Sequence, residues 1–244
     1  MAWESGKGRG GDISSWLSKL QCWSNHCRSV WLNKRTNPYV YLSDGGHFEN
    51  LGLYEMVLRR CHYIVVSDAG EDPECSFADL GEAVRKIRID FGIPIEFDHM
   101  GIYSRTEIGA LKDPGHNCAI GRIRYSAVDG PAAPDGIIVY IKPACYGNEP
   151  QDIYEYFKRN ETFPHESTAD QFFSESQFES YRMLGAHTMQ KLCTDCGGDF
   201  RCFIREILER HLQMKSPDWL AGLLGSSANN AEGQLANHAR QPGK

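Results

Sequence analysis

The feature that most constrains the fold is the alternation of short apolar runs with helical patterns between residues 39 and 97. Residues 39–42, 63–66 and 93–97 have the length and composition of buried strands. Residues 49–60 and 80–91 instead space their apolar side chains as one face of a helix. Because strand–helix–strand units pair their strands in parallel through right-handed crossovers, this order predicts an α/β fold with a mainly parallel sheet flanked by helices.

The second half of the chain adds a hairpin and more helices. Two apolar runs, 119–123 and 137–141, flank a Gly- and Pro-rich connection, which predicts antiparallel pairing. The segment Ser167-Thr168-Ala169-Asp170 has the pattern of a capping box and predicts the start of a long helix. Asp199 is the expected N-cap of an amphipathic helix over 200–211.

Charge divides the chain into segments. Residues 1–36 carry a formal +4 and four of the five tryptophans, which leaves −10 for the rest of a chain whose net charge is −6. A basic, Trp-rich lead segment of this kind either docks on its own domain or contacts a membrane surface. The net acidity argues against a nucleic-acid partner. We therefore predict a lead segment at 1–36, an α/β domain at 37–225 and a disordered, Asn- and Gly-containing tail at 226–244.

The nine cysteines suggest a compartment. Their number is odd and no export signal is visible, so the sequence predicts mostly reduced thiols and a cytoplasmic location. Cys193 and Cys196 form a C-x-x-C pair, with Cys202 six residues further on. This pattern is open to three interpretations: half of a zinc site, a redox pair, or a cysteine-rich connection between two helices.

Two predicted strands end in an aspartate, the position at which open α/β sheets gather functional groups. Asp44 is followed by Gly45 and Gly46, which allow a sharp turn, and Asp68 follows the next strand. A carboxylate at such a turn can accept a proton from a nucleophile or bind a metal ion, and it can also simply hydrogen-bond its own backbone.

The segment from Tyr39 to Cys61, which contains Ser43-Asp44-Gly45-Gly46-His47-Phe48-Glu49-Asn50, resembles the Asp-Gly-Gly segment of patatin-like phospholipases, in particular the bacterial group related to cytosolic phospholipases. The resemblance continues over about residues 37–190, through Val65–Ala69, Phe77–Gly81, Ile141–Pro143 and Phe163–Arg182. It implies a lipid acyl hydrolase with a Ser–Asp dyad that needs no cofactor or metal, acting on a lipid ester or phospholipid.

By this resemblance Asp44 is the catalytic base, and Gly45 and Gly46 support its turn. His47, Asp68 and His165 are candidates to line the substrate site, although each can equally serve a loop or a helix start. The family's nucleophile lies in a G-x-S-x-G elbow, and no serine of this sequence has glycine at both flanking positions. The chain therefore looks like the C-terminal part of a patatin-like domain, inactive by itself.

Two other functions remain open at this point. One is a non-catalytic remnant that binds lipid or a partner, with peripheral membrane contact. The other is a metal-dependent phosphohydrolase, for which Asp44, Asp68 and His47 would have to converge on one ion. The sequence does not indicate an oligomeric state.

Overall fold

The computed structural model describes residues 44–108, 114–167 and 169–224. The chain divides into two compact units, Met1–His47 and Phe48–Lys244. In the first unit the described element is a 3-10 turn at Gly45–His47. The predicted lead segment 1–36, the predicted strand 39–42 and the predicted tail 226–244 lie outside the described residues.

The second unit contains the following elements in chain order: α1 Leu53–Leu58, β1 Tyr63–Ser67, α2 Ala78–Phe91, β2 Ile95–Phe97, β3 Cys118–Ile123, α3 Ser126–Asp129, β4 Gly136–Ile141, α4 Gln151–Arg159, α5 Glu175–Leu192, α6 Phe200–Glu206 and α7 Asp218–Leu224. A π-helical turn at Ile207–His211 continues α6. None of the described helices is long and apolar enough to cross a membrane.

The four strands form a mixed sheet in the order β1-β4-β3-β2. Strand β1 pairs in parallel with β4, placing Ser67 opposite Ile141, whereas β4 pairs with β3 and β3 with β2 in antiparallel orientation. The α/β class is confirmed, but the expectation of a mainly parallel sheet is not met in the described residues. The reason is that the neighbour of β1 in the sheet is β4. Helix α2 therefore leads from β1 to β2 at the opposite edge of the sheet, and not to an adjacent parallel strand.

Strand β4 is the centre of the core because all six of its residues are buried. Its side chains alternate between two layers, as the pleat requires. Ile138 and Tyr140 pack with residues of α1 and α2, while Ile137, Val139 and Ile141 pack with residues of α6, the π-helical turn and α7. A third apolar cluster joins α4 to α5 through Ile153, Phe157, Phe163 and Leu184.

Several helix ends follow the sequence. Gly92 ends α2 in the left-handed conformation, with φ of 69°. The Asp199 side chain caps α6 by accepting a hydrogen bond from the Arg201 amide. The capping box predicted at Ser167–Asp170 is wrong: α5 begins at Glu175, and its N-cap is Ser174, whose hydroxyl accepts from the Gln177 amide. Thr168, in the predicted box, lies outside the described residues.

Candidate functional site

Asp44 lies at the start of the 3-10 turn in the first unit. The Gly46 amide donates to Asp44 Oδ1 over 3.1 Å, and the His47 amide donates to the Asp44 carbonyl over 3.2 Å. Residues 44–47 are all exposed. The Asp-Gly-Gly segment thus forms a turn in which one oxygen of the Asp44 carboxylate accepts a backbone hydrogen bond. The carboxylate is exposed to solvent.

Asp68 occupies a different environment, directly after β1 in the second unit. Its amide donates to the Ile141 carbonyl and extends the β1–β4 ladder by one residue. Its side chain is only 3% exposed. Oδ1 accepts from the Gly70 amide at 3.0 Å, and Oδ2 accepts from the Tyr140 hydroxyl and, at 3.1 Å, from the ammonium of Lys142. Both oxygens of Asp68 are therefore already used within the protein.

Lys142 is the buried cation of this cluster. Its side chain is 1% exposed and also lies 3.5 Å from Asp72 Oδ2. Burial alone would raise the pKa of Asp72, but hydrogen bonds from the Phe77 and Ser76 amides and the Ser76 hydroxyl, together with Lys142, lower it overall. Burial and the hydrogen bond to Asp68 raise the pKa of Tyr140, so its hydroxyl stays a donor.

His165 lies beside the same charges. It is 7% exposed, and its Nδ1 is buried without a hydrogen-bond partner among the described residues. Burial lowers the pKa of His165, Lys142 lowers it further, and a hydrogen bond with the Gly70 backbone acts in the opposite direction. The neutral imidazole is therefore favoured. The charges of Lys142, Asp72 and Asp68 all influence the pKa of His165.

An apolar groove of about 280 Å³ lies where the carboxyl ends of β1 and β4 approach α5. Ser67 and Ala69 line it, whereas Asp68 between them turns to the opposite face of the sheet. The groove's larger apolar side chains are those of Val65, Ile141, Pro143, Tyr181, Leu184 and Met189. A groove with this lining suits a hydrocarbon group more than a charged one.

The C-x-x-C segment connects α5 to α6, as the third sequence interpretation expected. Cys193 and Cys196 form a disulfide, whereas the other described cysteines, Cys61, Cys75, Cys118, Cys145 and Cys202, are free thiols. Burial raises the pKa of the Cys118 thiol to about 12 and that of Cys75 to about 11, so neither is an activated nucleophile.

The structure brings together two of the predicted lining residues, Asp68 and His165, around Lys142. Asp44 and His47 belong to the other unit. Sequence reasoning missed Tyr140, Lys142 and Asp72. A signal was present, because a lysine that directly continues the run Ile137–Ile141 in a buried strand needs a buried carboxylate partner.

No family model, curated protein or solved structure matches this chain.

Proposed function

We propose that this chain supplies the aspartate base of a lipid acyl hydrolase of the Ser–Asp dyad type, with the patatin-like fold that its sequence resembles. The observation that carries the proposal is the Asp44 turn: within an Asp-Gly-Gly segment, a carboxylate is fixed by the Gly46 amide and exposed to solvent. A general base needs a fixed orientation and access to the proton that it accepts.

The contacts of Asp68 support this assignment by contrast. Its two oxygens bind Gly70, Tyr140 and Lys142, so accepting a substrate proton would require breaking a buried ion pair. The same contacts do not favour the phosphohydrolase hypothesis, because they occupy both oxygens of a buried carboxylate and leave neither one free to bind a divalent ion.

The proposed reaction is acyl transfer through a serine. The serine oxygen attacks the ester carbonyl while Asp44 takes the hydroxyl proton, and Asp44 gives this proton to the alcohol oxygen as the alcohol leaves. Asp44 then takes a proton from the water that attacks the acyl-enzyme and gives it to the serine oxygen as the carboxylic acid is released. Since no serine here lies in a G-x-S-x-G elbow, the serine and the oxyanion donors would come from a segment outside this sequence.

The experiment uses a fluorophosphonate probe, which labels activated serines, and a nitrophenyl acyl ester. We expect a longer form of the protein that carries an elbow to be labelled and to hydrolyse the ester, and Asp44→Asn to lower the rate by about 10²–10⁴-fold. Asp98→Asn, which changes another exposed carboxylate, is the matched control and should leave the rate unchanged. Full activity of Asp44→Asn would overturn the assignment of the base.

The apolar groove supports a substrate with a hydrocarbon part. Gly185 lines this groove, and apart from its chain neighbours and the nearby backbone of its own helix nothing described lies within 4 Å of the position that its Cβ would occupy. Gly185→Phe should therefore fill the groove without a backbone clash and weaken binding of a fluorescent fatty acid, while Gly185→Ala should retain it. Equal binding by both variants would show that the groove does not hold the acyl chain.

Binding without hydrolysis is the outcome that would favour the alternative of a non-catalytic remnant. In that case the fatty-acid probe would bind in the groove, while no serine of any natural form would react with the fluorophosphonate.

A further inference from the structure

The loop between α5 and α6 gathers metal-ligating groups that the proposed acyl transfer does not use. Cys193 lies at the C-terminal end of α5, and its amide donates to the Met189 carbonyl. Cys196 is followed by Gly197 and Gly198, both left-handed with φ of 53° and 81°. These glycines allow the chain to reverse, so that Asp199 can begin α6 one residue later.

Glu206, at the end of α6, faces this loop. Its Oε2 accepts from the Thr194 amide at 3.1 Å, from the Thr194 hydroxyl at 3.3 Å and from the Arg210 guanidinium at 3.1 Å. These hydrogen bonds hold the carboxylate against the C-x-x-C segment. As a result one carboxylate oxygen and the sulfurs of Cys193 and Cys196 all lie within 4.8 Å of one another.

We propose that the reduced loop is a zinc site in which Cys193, Cys196 and Glu206 are the protein ligands and water completes the tetrahedron. Thiolate pairs at C-x-x-C spacing are the ligands that Zn²⁺ prefers, and a carboxylate oxygen is an accepted third ligand. All three residues are half-buried, so an ion can enter from solvent.

The charges at the site suit a divalent ion. Two thiolates and one carboxylate exceed the charge of Zn²⁺ by one negative unit, and the Arg210 guanidinium beside Glu206 offsets this excess. The Thr194 and Arg210 hydrogen bonds would also orient the carboxylate, the role that outer-shell partners commonly have at metal sites.

The disulfide is the oxidised, metal-free form of the same site. A dithiol reductant transfers two electrons and two protons to the Cys193–Cys196 bond, giving two thiols, and is itself oxidised to a disulfide. Zinc then displaces the two thiol protons, which pass to solvent. The loop can therefore exchange between a disulfide within the C-x-x-C segment and a metal cross-link that also joins this segment to Glu206 at the end of α6.

The experiment is a titration of the whole chain with Co²⁺ and then Zn²⁺, with and without a phosphine reductant. We expect the reduced chain to bind one Co²⁺ with the visible spectrum of a tetrahedral thiolate site, and Zn²⁺ to displace it. The oxidised chain should show no such spectrum. Equal binding by the oxidised and reduced chains would overturn the proposal.

Variants assign the ligands. Cys193→Ser and Glu206→Gln should each weaken binding by at least ~10-fold, whereas Cys202→Ser, which removes a free thiol one helical turn before Glu206, should leave it unchanged. Far-UV circular dichroism shows whether each variant is folded. If a variant unfolds, stabilisation of the reduced wild-type chain by Zn²⁺ in thermal denaturation is the deciding measurement, and no stabilisation would contradict the site.

Discussion

The ammonium group of Lys142 lies 3.1 Å from Asp68 Oδ2, and the two side chains are only 1% and 3% exposed. Lys142 follows the last residue of β4, and Asp68 follows the last residue of β1. The ion pair therefore joins the carboxyl ends of the two strands that form the parallel pair of the described sheet. Tyr140, which donates to the same oxygen, extends this network into the core.

Lys142→Met should strongly destabilise the fold. It leaves the Asp68 carboxylate buried without its cation, for which the expected loss is about 3–5 kcal/mol of unfolding free energy. The measurement is urea denaturation followed by circular dichroism.

The matched control is Arg59→Met, which removes an exposed ion pair with Glu55 one helical turn away. Exposed pairs of this kind contribute at most ~1 kcal/mol, so the control should unfold close to the wild-type midpoint. A Lys142→Met variant that is no less stable than Arg59→Met would show that the buried pair does not hold the strand ends together.

The sequence predicted the individual helices and strands more readily than it predicted which strands pair with each other. Helix α2 and the β3–β4 hairpin follow from local patterns, because periodicity and a short connection are local properties. The choice of β4 as the partner of β1 depends on contacts between residues about 70 positions apart, which no local pattern encodes.

The same limit applies to the candidate site. Asp68 was identifiable because it ends an apolar strand, and Asp44 because of its Asp-Gly-Gly motif. Lys142 carried a signal, because it continues a buried strand, but only the fold shows that its partner is Asp68 and that the Tyr140 hydroxyl binds the same oxygen. The site residues that depend on tertiary packing are therefore the ones that sequence reasoning missed.

Ser174→Ala should shorten or destabilise α5. The Ser174 hydroxyl accepts from the Gln177 amide, which would otherwise be an unsatisfied donor in the first turn. Loss of such a cap typically costs about 1 kcal/mol. The control is Ser167→Ala, in the segment where the sequence wrongly predicted the cap. Chemical denaturation should separate the two variants by about this amount, and equal midpoints would argue against Ser174 as the cap.

Gly121→Ala should disturb the centre of the sheet. A Cβ at this position of β3 would lie 2.8 Å from the Phe97 ring and 2.9 Å from Ile138 Cγ2. Overpacking of this kind costs about 1–3 kcal/mol. Gly81→Ala is the control, because apart from its chain neighbours and the nearby backbone of α2 nothing described lies within 4 Å of its Cβ position. It should instead stabilise the helix by about 0.5–1 kcal/mol. A Gly121→Ala variant as stable as wild type would mean that β3 can shift without cost.

His211 should make the fold sensitive to acid. Burial lowers the pKa of His211 to about 4, and neighbouring His116 and Lys191 act in the same direction. The Asn117 amide donates to His211 Nε2, so this nitrogen must carry no proton in the folded state. Between pH 6.5 and about 4 the unfolded chain therefore binds a proton at His211 that the folded chain does not bind.

This difference predicts the sign of the pH dependence. Well above pH 6.5 the imidazole is neutral in both states, and His211 adds no pH dependence. As the pH falls towards 4, the unfolded state is favoured by up to about 3 kcal/mol through this group.

His211→Gln keeps a hydrogen-bond acceptor but cannot titrate, so its stability relative to wild type should rise as the pH is lowered. Urea denaturation of both proteins at pH 7, 6, 5 and 4.5 measures this difference, and the titrating groups that do not interact with His211 cancel in the comparison. A difference that stays constant over that range would show that His211 is as readily protonated in the folded chain as in the unfolded one.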